Sequence, residues 1–341
     1  MGSAIADVAA RAGVSKATAS RALSGKGYVA EATRKRVVQA AEEIGFVASP
    51  NAASLVTGKT KNIGVVIPFI NRWFFGEILE AIEEALLNSG FDMTLYNLHP
   101  GSAERDRVFN FFLARKRFDG VIAVGVEPTA EEAGRLLRLG IPMVSVGAPV
   151  PGIRSLTIDD VAAARVATEH LLGLGHRRVL HIGGHVADPA ENTVHNLRLA
   201  GYRQAMFAAG LASEARATQT TMSVPGGYDA GTHALSDATS RPSAIFAACD
   251  EIAIGVIIAA RRIGIRVPGD LSVIGIDGHE YAEMFSLTTI EQRPREQGLA
   301  AVTDLLSAVG GEPCAPEVVD MPARLVVRAS TAHVGVVADA V

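Results

Sequence analysis

Cysteine is almost absent from this chain of 341 residues, which contains only Cys249 and Cys314. Two isolated cysteines make neither a disulfide framework nor a zinc site, so we interpret both as structural. The nine histidines also lack the spacing of metal ligands. The sequence therefore predicts a protein without a metal ion or another cofactor.

Long apolar runs are missing as well. Hydrophobic residues make up 48% of the chain, yet no run reaches the roughly 18 uncharged residues that span a bilayer. Residues Met1 to Asp7 lack the basic and apolar stretches of a secretory signal. We expect a cytoplasmic protein that has no membrane partner.

Three catalytic signatures are absent too. The chain has no Gly-x-Gly-x-x-Gly after its first predicted strand, no Gly-x-Ser-x-Gly elbow and no His-Glu-x-x-His pair. His176 stands at a predicted helix-to-strand turn, where we interpret it as a helix cap or a surface group. These absences predict that the chain is not an enzyme.

The charge of the chain is unevenly distributed. Residues 1–60 contain eight Lys and Arg against four Asp and Glu, whereas the remainder contains 24 against 32. A basic end on an acidic body favours a module that binds a polyanion such as DNA, although so modest an excess is also typical of a solvated surface. A motif is needed to decide between the two.

The N-terminal segment predicts three short helices around one core. Apolar residues recur at helical spacing in the first: Ile5, Val8, Ala9 and Ala12. Gly13 ends that helix, and Ser15 is a favourable N-cap for a second one ending near Leu23. A third runs over about residues 31–44. The predicted inward residues of the later helices are Ala19, Ala22, Leu23, Val37, Val38, Ala41 and Ile44. A polar second helix after a glycine turn is typical of major-groove binding.

From residue 62 onward, strand-length apolar runs alternate with helix-length amphipathic segments. Thr129 and Glu132 predict a capping box at the start of one of these helices. Buried parallel strands joined by helices indicate an α/β fold of doubly wound parallel sheets. Because the repeating units exceed one sheet, we expect two lobes, with a boundary near Asp159 and Asp160.

The N-terminal motif Asp7-Val8-Ala9-Ala10-Arg11-Ala12-Gly13-Val14-Ser15-Lys16-Ala17-Thr18-Ala19-Ser20-Arg21-Ala22-Leu23 resembles the headpiece of the lactose-repressor (LacI/GalR) family. Later motifs extend the resemblance over nearly the entire chain: Leu197-Arg198-Leu199-Ala200-Gly201-Tyr202, residues 248–255 and residues 272–277. The resemblance implies a helix-turn-helix headpiece at 1–48, a hinge helix and linker at 49–60, and a two-lobed periplasmic-binding-protein-like sensor at 61–341. The expected N-lobe contains about 61–160 and 292–323, and the C-lobe about 161–291 and 324–341.

The resemblance also implies which headpiece residues contact DNA. Lys16, Ala17 and Arg21 occupy the base-reading positions, and the Arg21 fork suits guanine. The phosphate-facing residues are Thr18, Ser20, Ser24 and Thr33. Leu55 corresponds to a hinge leucine that enters the minor groove when two copies pair, whereas composition alone indicates an ordinary linker. Ala30 stands where the family often has a capping Ser, so the third helix starts less firmly.

In the sensor, Arg198 and Asp250 match the family's hydroxyl-binding pair, although either is also consistent with a structural ion pair. Ligands of open α/β sheets lie beyond the carboxyl ends of strands. The candidate residues that follow predicted strands are Asn71, Phe74, Ser145, Asp250 and Asp277. Phe74 and Phe75 are candidates for stacking on a ligand ring, or for a core stripe. Glu191 replaces an Arg of purine-responsive members, which favours a sugar-like effector.

These inferences predict a homodimeric transcriptional regulator, foremost a repressor, that binds a palindromic DNA operator and responds to a sugar-like effector. No leucine heptads follow Thr331, so we expect a dimer. Two alternatives stay open. One keeps DNA binding but has a non-sugar ligand, a corepressor or activator logic. The other is a sugar-binding protein or enzyme without a role at DNA.

Overall fold

The computed structural model describes residues 5–24, 27–46, 59–99, 103–113, 117–126, 128–147, 149–185 and 193–335. The predicted hinge residue Leu55 and Glu191 lie outside these ranges. The chain divides into two compact units, one of which contains the N-terminal helices and the other nearly all of the α/β part. The predicted domain boundaries stay a prediction.

Three helices form the N-terminal unit: α1 (Ile5–Ala12), α2 (Lys16–Ser24) and α3 (Glu31–Glu43). Gly13 adopts the left-handed conformation, with a φ of 65°, and turns the chain between α1 and α2. The Ser15 side chain accepts a hydrogen bond from the Thr18 backbone N–H at 3.1 Å, which confirms the predicted N-cap. At α3, Ala30 supplies no side-chain cap, as expected.

A small apolar core holds the three helices together. Its buried residues are Val8, Ala9, Ala12, Ala19, Ala22, Val37, Ala40 and Ala41. The prediction that Val38 faces inward is wrong, because this side chain is 39% exposed. Ala40 and Ala41 lie three and four residues after Val37, so they complete its helical stripe while Val38 lies about 100° away around the axis.

Two six-stranded sheets form the α/β part. The first contains β1 (Asn62–Ile67), β2 (Asp92–Asn97), β3 (Gly120–Val124), β4 (Met143–Val146), β5 (Arg154–Thr157) and, from later in the chain, β11 (Val318–Asp320), in the order β11-β5-β4-β3-β1-β2. The second contains β6 (Val179–Gly183), β7 (Arg216–Gln219), β8 (Ala244–Ala247), β9 (Ser272–Asp277), β10 (Thr288–Glu291) and β12 (Arg324–Val326), in the order β12-β10-β9-β8-β6-β7. The β10–β12 pair is antiparallel.

Helices surround both sheets. Those near the first sheet are α4 (Trp73–Asn88), α5 (Ala130–Arg138) and α10 (Pro294–Gly310). Those near the second are α6 (Asp160–Gly173), α7 (Val194–Ala208), α8 (Val224–Leu235) and α9 (Asp250–Arg262). Shorter turns lie at Arg105–Arg107, Val108–Phe112, Ala212–Glu214 and Glu280–Ala282. This arrangement confirms the predicted α/β fold.

Local signals in the sequence are recognisable at the helix ends. Thr129 Oγ1 accepts from the Glu132 N–H at 3.2 Å, and Glu132 Oε2 accepts from the Thr129 N–H at 2.7 Å, so the predicted capping box is present.

The chain passes between the sheets three times, after β5, after β10 and between β11 and β12. Consequently the carboxyl ends of strands from both sheets flank the segments that connect them.

His176 is neither the cap nor the surface group that its turn position predicts. It is buried, and its ring nitrogens lie 3.0 Å from Ser243 Oγ and 2.9 Å from Ser272 Oγ. Nε2 also lies 3.0 Å from the Ala332 carbonyl oxygen. The imidazole therefore ties the start of the second sheet to a segment far along the chain.

Within the described ranges, no helix has the length and the apolarity needed to cross a bilayer. The same part of the chain contains no group of three His, Cys, Asp or Glu side chains arranged to hold a metal ion.

Candidate DNA-binding and effector-binding sites

One face of α2 carries the predicted base-reading residues. Lys16, Ala17 and Arg21 are exposed, whereas Ala19 and Ala22 on the opposite face are buried in the headpiece core. Arg21 Nε donates to the Ala17 carbonyl oxygen at 3.2 Å, which aligns its stem along the helix. The two outer nitrogens of the Arg21 guanidinium take no part in that bond, so they can donate to a base edge.

The predicted phosphate-facing residues differ in their surroundings. Ser20 and Ser24 are exposed, and Thr18 and Thr33 are half-buried. Thr18 Oγ1 lies 2.9 Å from Ser15 Oγ, so its hydroxyl already belongs to the N-cap of α2. Ser20 and Ser24 are consequently the more accessible hydroxyls of this set.

Several headpiece arginines have structural partners instead. Arg34 donates to the Ala22 carbonyl oxygen at 3.2 Å and Arg36 to the Ala12 carbonyl oxygen at 3.3 Å, so each satisfies a helix end. Arg11 pairs with Glu43 at 2.7 Å, and this hydrogen bond and charge lower the pKa of Glu43. Three of the headpiece arginines thus have partners within the headpiece, and one of them, Arg11, is paired with a carboxylate.

Arg198 lies at the centre of a buried polar cluster in the sensor. Its Nε donates to Asp160 Oδ1 at 2.8 Å, its Nη1 donates to the Ala248 carbonyl oxygen, and Nη1 lies 3.8 Å from Asp277 Oδ1. Burial disfavours the charged guanidinium, but the carboxylates of Asp160 and Asp277 outweigh it, and the pKa of Arg198 is raised. Arg198 therefore pairs with Asp160, and not with Asp250.

Asp250, the first residue of α9, holds the segment that follows β9. Its Oδ2 accepts from the backbone N–H groups of Gly278 at 2.9 Å and His279 at 2.8 Å. Its Oδ1 accepts from Thr289 Oγ1 at 2.7 Å. Burial raises the pKa of Asp250 to about 6 despite these bonds. Both carboxylate oxygens are occupied, so the side chain positions its neighbours.

Asp277 is the last residue of β9 and is less completely bonded. Oδ1 accepts from Gln292 Nε2 at 2.6 Å, and burial raises the pKa of the carboxyl well above its ordinary value. The backbone φ of Asp277 is 142°, a region that favours glycine and that is often retained at functional sites. Gln292 is itself part of a connection between the two sheets.

Three aromatic residues lie at the start of α4, and one of them contacts the second lobe. The Trp73 ring stacks on His279, with the ring centroids 4.6 Å apart, so the first lobe contacts the segment that follows β9. Phe74 and Phe75 meet edge to face at 5.5 Å and pack partly against the core of the first sheet. Asn71 lies in the preceding turn and is exposed.

Ser145 differs from its prediction. It lies inside β4, where it pairs with Ala123 and Ser155, and it is only 2% exposed. The expectation that it follows a strand is wrong because β4 continues through Val146. Ser145 is therefore the least exposed of the predicted effector-binding residues in the first lobe.

Comparison with known families adds identity to this geometry. Residues 4–49 match the bacterial regulatory proteins of the lacI family, and residues 168–331 match a periplasmic binding protein-like domain. The transcriptional regulator DegA of Bacillus subtilis (strain 168) is 34% identical over 335 residues, which cover 96% of this chain and 97% of DegA. The chain belongs to the lacI family of bacterial regulatory proteins.

Two solved structures resemble this lacI-family regulator over nearly its full length. The lac repressor dimer bound to operator and the anti-inducer ONPF has a TM-score of 0.84 and 25% identity, covering 97% of this chain and all of that one. The regulator CelR in complex with cellobiose has a TM-score of 0.68 and 29% identity, covering 96% and 99%. The protein is therefore a DNA-binding transcriptional regulator, as the sequence predicted.

Sequence inspection of this lacI-family chain missed several residues of the sensor cluster. Asp160, Thr289, Gln292 and His279 are brought to Arg198, Asp250 and Asp277 by chain segments that are distant in sequence. Only Asp160 carried a signal, as a predicted lobe boundary. In the headpiece, sequence reasoning also passed over Tyr28, an aromatic side chain that is 93% exposed in the segment after α2.

Proposed function

We propose that this regulator acts as a homodimer that binds a palindromic operator, with its affinity set by a small neutral sugar held between the sensor lobes. Likeness to the lac repressor dimer on its operator supports the first half. Likeness to the cellobiose complex of CelR supports the second. Because operators are chromosomal, we also propose a cytoplasmic location, and no catalysis is assigned to the cleft.

For the DNA interface, we propose that Arg21 makes the main base contact and that Lys16 and Ala17 are the other base-reading residues. The accessible hydroxyls of Ser20 and Ser24 suit phosphate contacts, and Thr18 and Thr33 are kept in that role from the family resemblance. We further propose that Leu55 in the hinge enters the minor groove when two chains pair. The exposed polar face of α2, opposite its buried alanines, is the observation that supports this assignment.

In the sensor, the observation that supports a neutral effector is the compensated charge of the buried cluster. Arg198 is already paired with Asp160 and lies near Asp277, so an anionic ligand would find no free positive charge there. Carboxylate and guanidinium groups bind sugar hydroxyls well, and aromatic faces suit sugar rings. We assign the effector contacts to Asn71, Phe74, Phe75, Ser145, Arg198 and Asp277. Asp250, the remaining candidate, has both carboxylate oxygens occupied, and we assign it the role of positioning the segment that follows β9.

The experiment that tests this function has two steps. Selection of bound sequences from a random DNA pool should yield a palindrome if the protein binds as a symmetric dimer. Fluorescence anisotropy with that DNA is then repeated with cellobiose, monosaccharides and adenosine. A sugar that changes operator affinity supports the proposal, and a fall or a rise in affinity distinguishes an inducer from a corepressor. A response to adenosine alone would contradict the proposal that the effector is a sugar.

A further inference from the structure

Two buried ring nitrogens in the sensor lack a hydrogen-bond partner. In the part of the chain that the structure describes, Trp73 Nε1 and His195 Nδ1 are the buried side-chain polar atoms with this property. Buried polar atoms almost always have partners, because leaving water without a replacement bond costs free energy. Two such atoms therefore call for a common explanation.

Trp73 lies between the two lobes. It is the first residue of α4, shortly after the carboxyl end of β1, and its ring stacks on His279 of the second lobe. An indole N–H can only donate, so a partner for Nε1 must offer an acceptor oxygen or nitrogen. The stacking fixes the plane of the indole and hence the direction in which this hydrogen points.

His195 occupies an equivalent place on the second sheet. It is the second residue of α7, three residues before Arg198, and its ring packs against Gly184, directly after the carboxyl end of β6. Burial, together with the positive charge of Arg198, lowers the pKa of His195 to about 4. The imidazole is therefore neutral at physiological pH, and its Nδ1 can donate or accept.

We infer that Trp73 Nε1 and His195 Nδ1 are specificity-determining contacts to the effector, one from each lobe, and that each bonds a hydroxyl of a neutral polyhydroxylated molecule. Hydroxyls fit both nitrogens because they accept from an N–H and also donate. Neither ring carries a charge, and the charge of Arg198 is compensated by Asp160 and Asp277, so a phosphate or carboxylate would be desolvated here without gaining an ion pair. This inference rests on the proposed sugar-binding function and adds two residues to it.

The sole tryptophan of the chain supplies a direct readout. D-ribose, D-glucose, cellobiose and D-glucose 6-phosphate are titrated into the full-length protein, while Trp73 emission and binding heat are recorded. We expect a neutral sugar to change the emission and to bind more tightly than the phosphate. Its mono-deoxy derivatives then identify the hydroxyl that each nitrogen contacts.

Three variants isolate the two nitrogens. Trp73→Phe keeps an aromatic ring without the N–H, and His195→Leu removes the imidazole, so each should weaken the calorimetric affinity roughly three- to tenfold, as expected for one hydrogen bond. His195→Asn restores a polar atom near Nδ1 and should recover part of the loss. Tyr281→Phe is the matched control, since Tyr281 contacts the same His279 but is 48% exposed.

The outcomes separate the two proposals. Unchanged sugar affinity in both Trp73→Phe and His195→Leu overturns this inference and leaves the proposed function standing. Tighter binding of glucose 6-phosphate than of any neutral sugar overturns the inferred ligand class. If one deoxy sugar binds wild type weakly but equals its parent sugar in Trp73→Phe, that hydroxyl is the partner of Nε1 and the inference is supported.

Discussion

Arg21 and Ser20 are neighbours on the exposed face of α2, yet we assign them different tasks. Arg21 offers a two-pronged donor to a base edge, whereas Ser20 offers one hydroxyl to a phosphate. Arg21→Ala should cost about 1–3 kcal/mol at one operator position and relax the base preference there. Sequence selection with the variant, compared position by position with wild type, measures this effect.

Ser20→Ala is the matched control for Arg21→Ala. Losing a phosphate contact should weaken binding to all sequences about equally, because phosphates carry no base identity. An Arg21→Ala variant that loses affinity uniformly, as the serine variant does, would place Arg21 among the phosphate contacts. Both side chains are exposed and lie outside the headpiece core, so neither change should unfold the headpiece.

Asp250 and Asp277 belong to one cluster but should respond differently to substitution. Asp250→Ala removes the acceptor of two buried backbone N–H groups and of Thr289, at a cost of about 1–3 kcal/mol for each group left unpaired. Asp277→Asn keeps an acceptor for Gln292, so its stability should stay close to wild type while its sugar response falls. Thermal melting and operator titration with effector measure the two properties.

Equal melting temperatures for the two variants would contradict this division of roles. The same conclusion would follow if Asp250→Ala lost only its response to effector.

At the residue scale, the sequence predicted Ser15 as a cap because a cap depends on neighbours three residues away. It mispredicted His176, whose partners Ser243, Ser272 and Ala332 are supplied by distant segments.

At the scale of elements, α8 and α9 approach each other through glycine. A Cβ atom at Gly255 would lie 2.2 Å from the Val224 carbonyl oxygen and 2.5 Å from the Tyr228 nitrogen, both backbone atoms. Gly255→Ala should therefore force the helices apart and destabilise the sensor by about 1–3 kcal/mol or more. Urea unfolding followed by circular dichroism gives the free energy of unfolding.

Gly76 in α4 provides the control for Gly255→Ala. It is also helical, but a Cβ there would meet nothing within 4 Å. Gly76→Ala should stabilise the protein by about 0.5–1 kcal/mol, because alanine loses less backbone entropy in a helix. A shift of the stability in the same direction for both variants would contradict the close packing of α8 on α9 at Gly255.

The elements themselves were largely predictable, and their assembly was less so. The alternation of apolar runs indicated parallel strands and helices, since each depends on local periodicity. The short strands β11 and β12, within residues 318–326, join different sheets. Their placement depends on contacts with residues far away in sequence. Periodicity also failed for Val38, whose neighbour Ala40 fills the core instead.

For the whole molecule, buried histidines link stability to pH. Burial lowers the pKa of His181 to about 3 and those of His195 and His279 to about 4, from an unfolded value of about 6.5. Neutral imidazole is therefore favoured in the folded state. This contribution is fully present above about pH 6.5, and it is lost as the pH falls toward 4, because the unfolded chain then binds more protons.

Asp250 and Asp277 act in the opposite direction. Burial raises the pKa of Asp250 to about 6 and that of Asp277 well above its ordinary value. The folded protein takes up these protons as the pH falls from about 6, which stabilises it relative to the unfolded chain. Burial raises the pKa of Glu251 as well, but it also lowers those of His170 and His176, so five shifted histidines exceed three shifted carboxyls. The balance is a net loss of stability in acid.

We therefore expect the free energy of unfolding to fall as the pH is lowered from 6.5 to about 4.5, by about 1.4 kcal/mol per pH unit for each proton that the unfolded chain binds in excess. His181 isolates one such proton, because its ring is enclosed between Tyr202 and Phe246. His181→Phe should reduce the slope by about that amount, whatever it does to the stability at neutral pH. Urea titrations at several pH values measure how steeply the free energy of unfolding changes with pH. An equal slope in His181→Phe and wild type would show that this imidazole binds its proton as readily in the folded protein as in the unfolded chain.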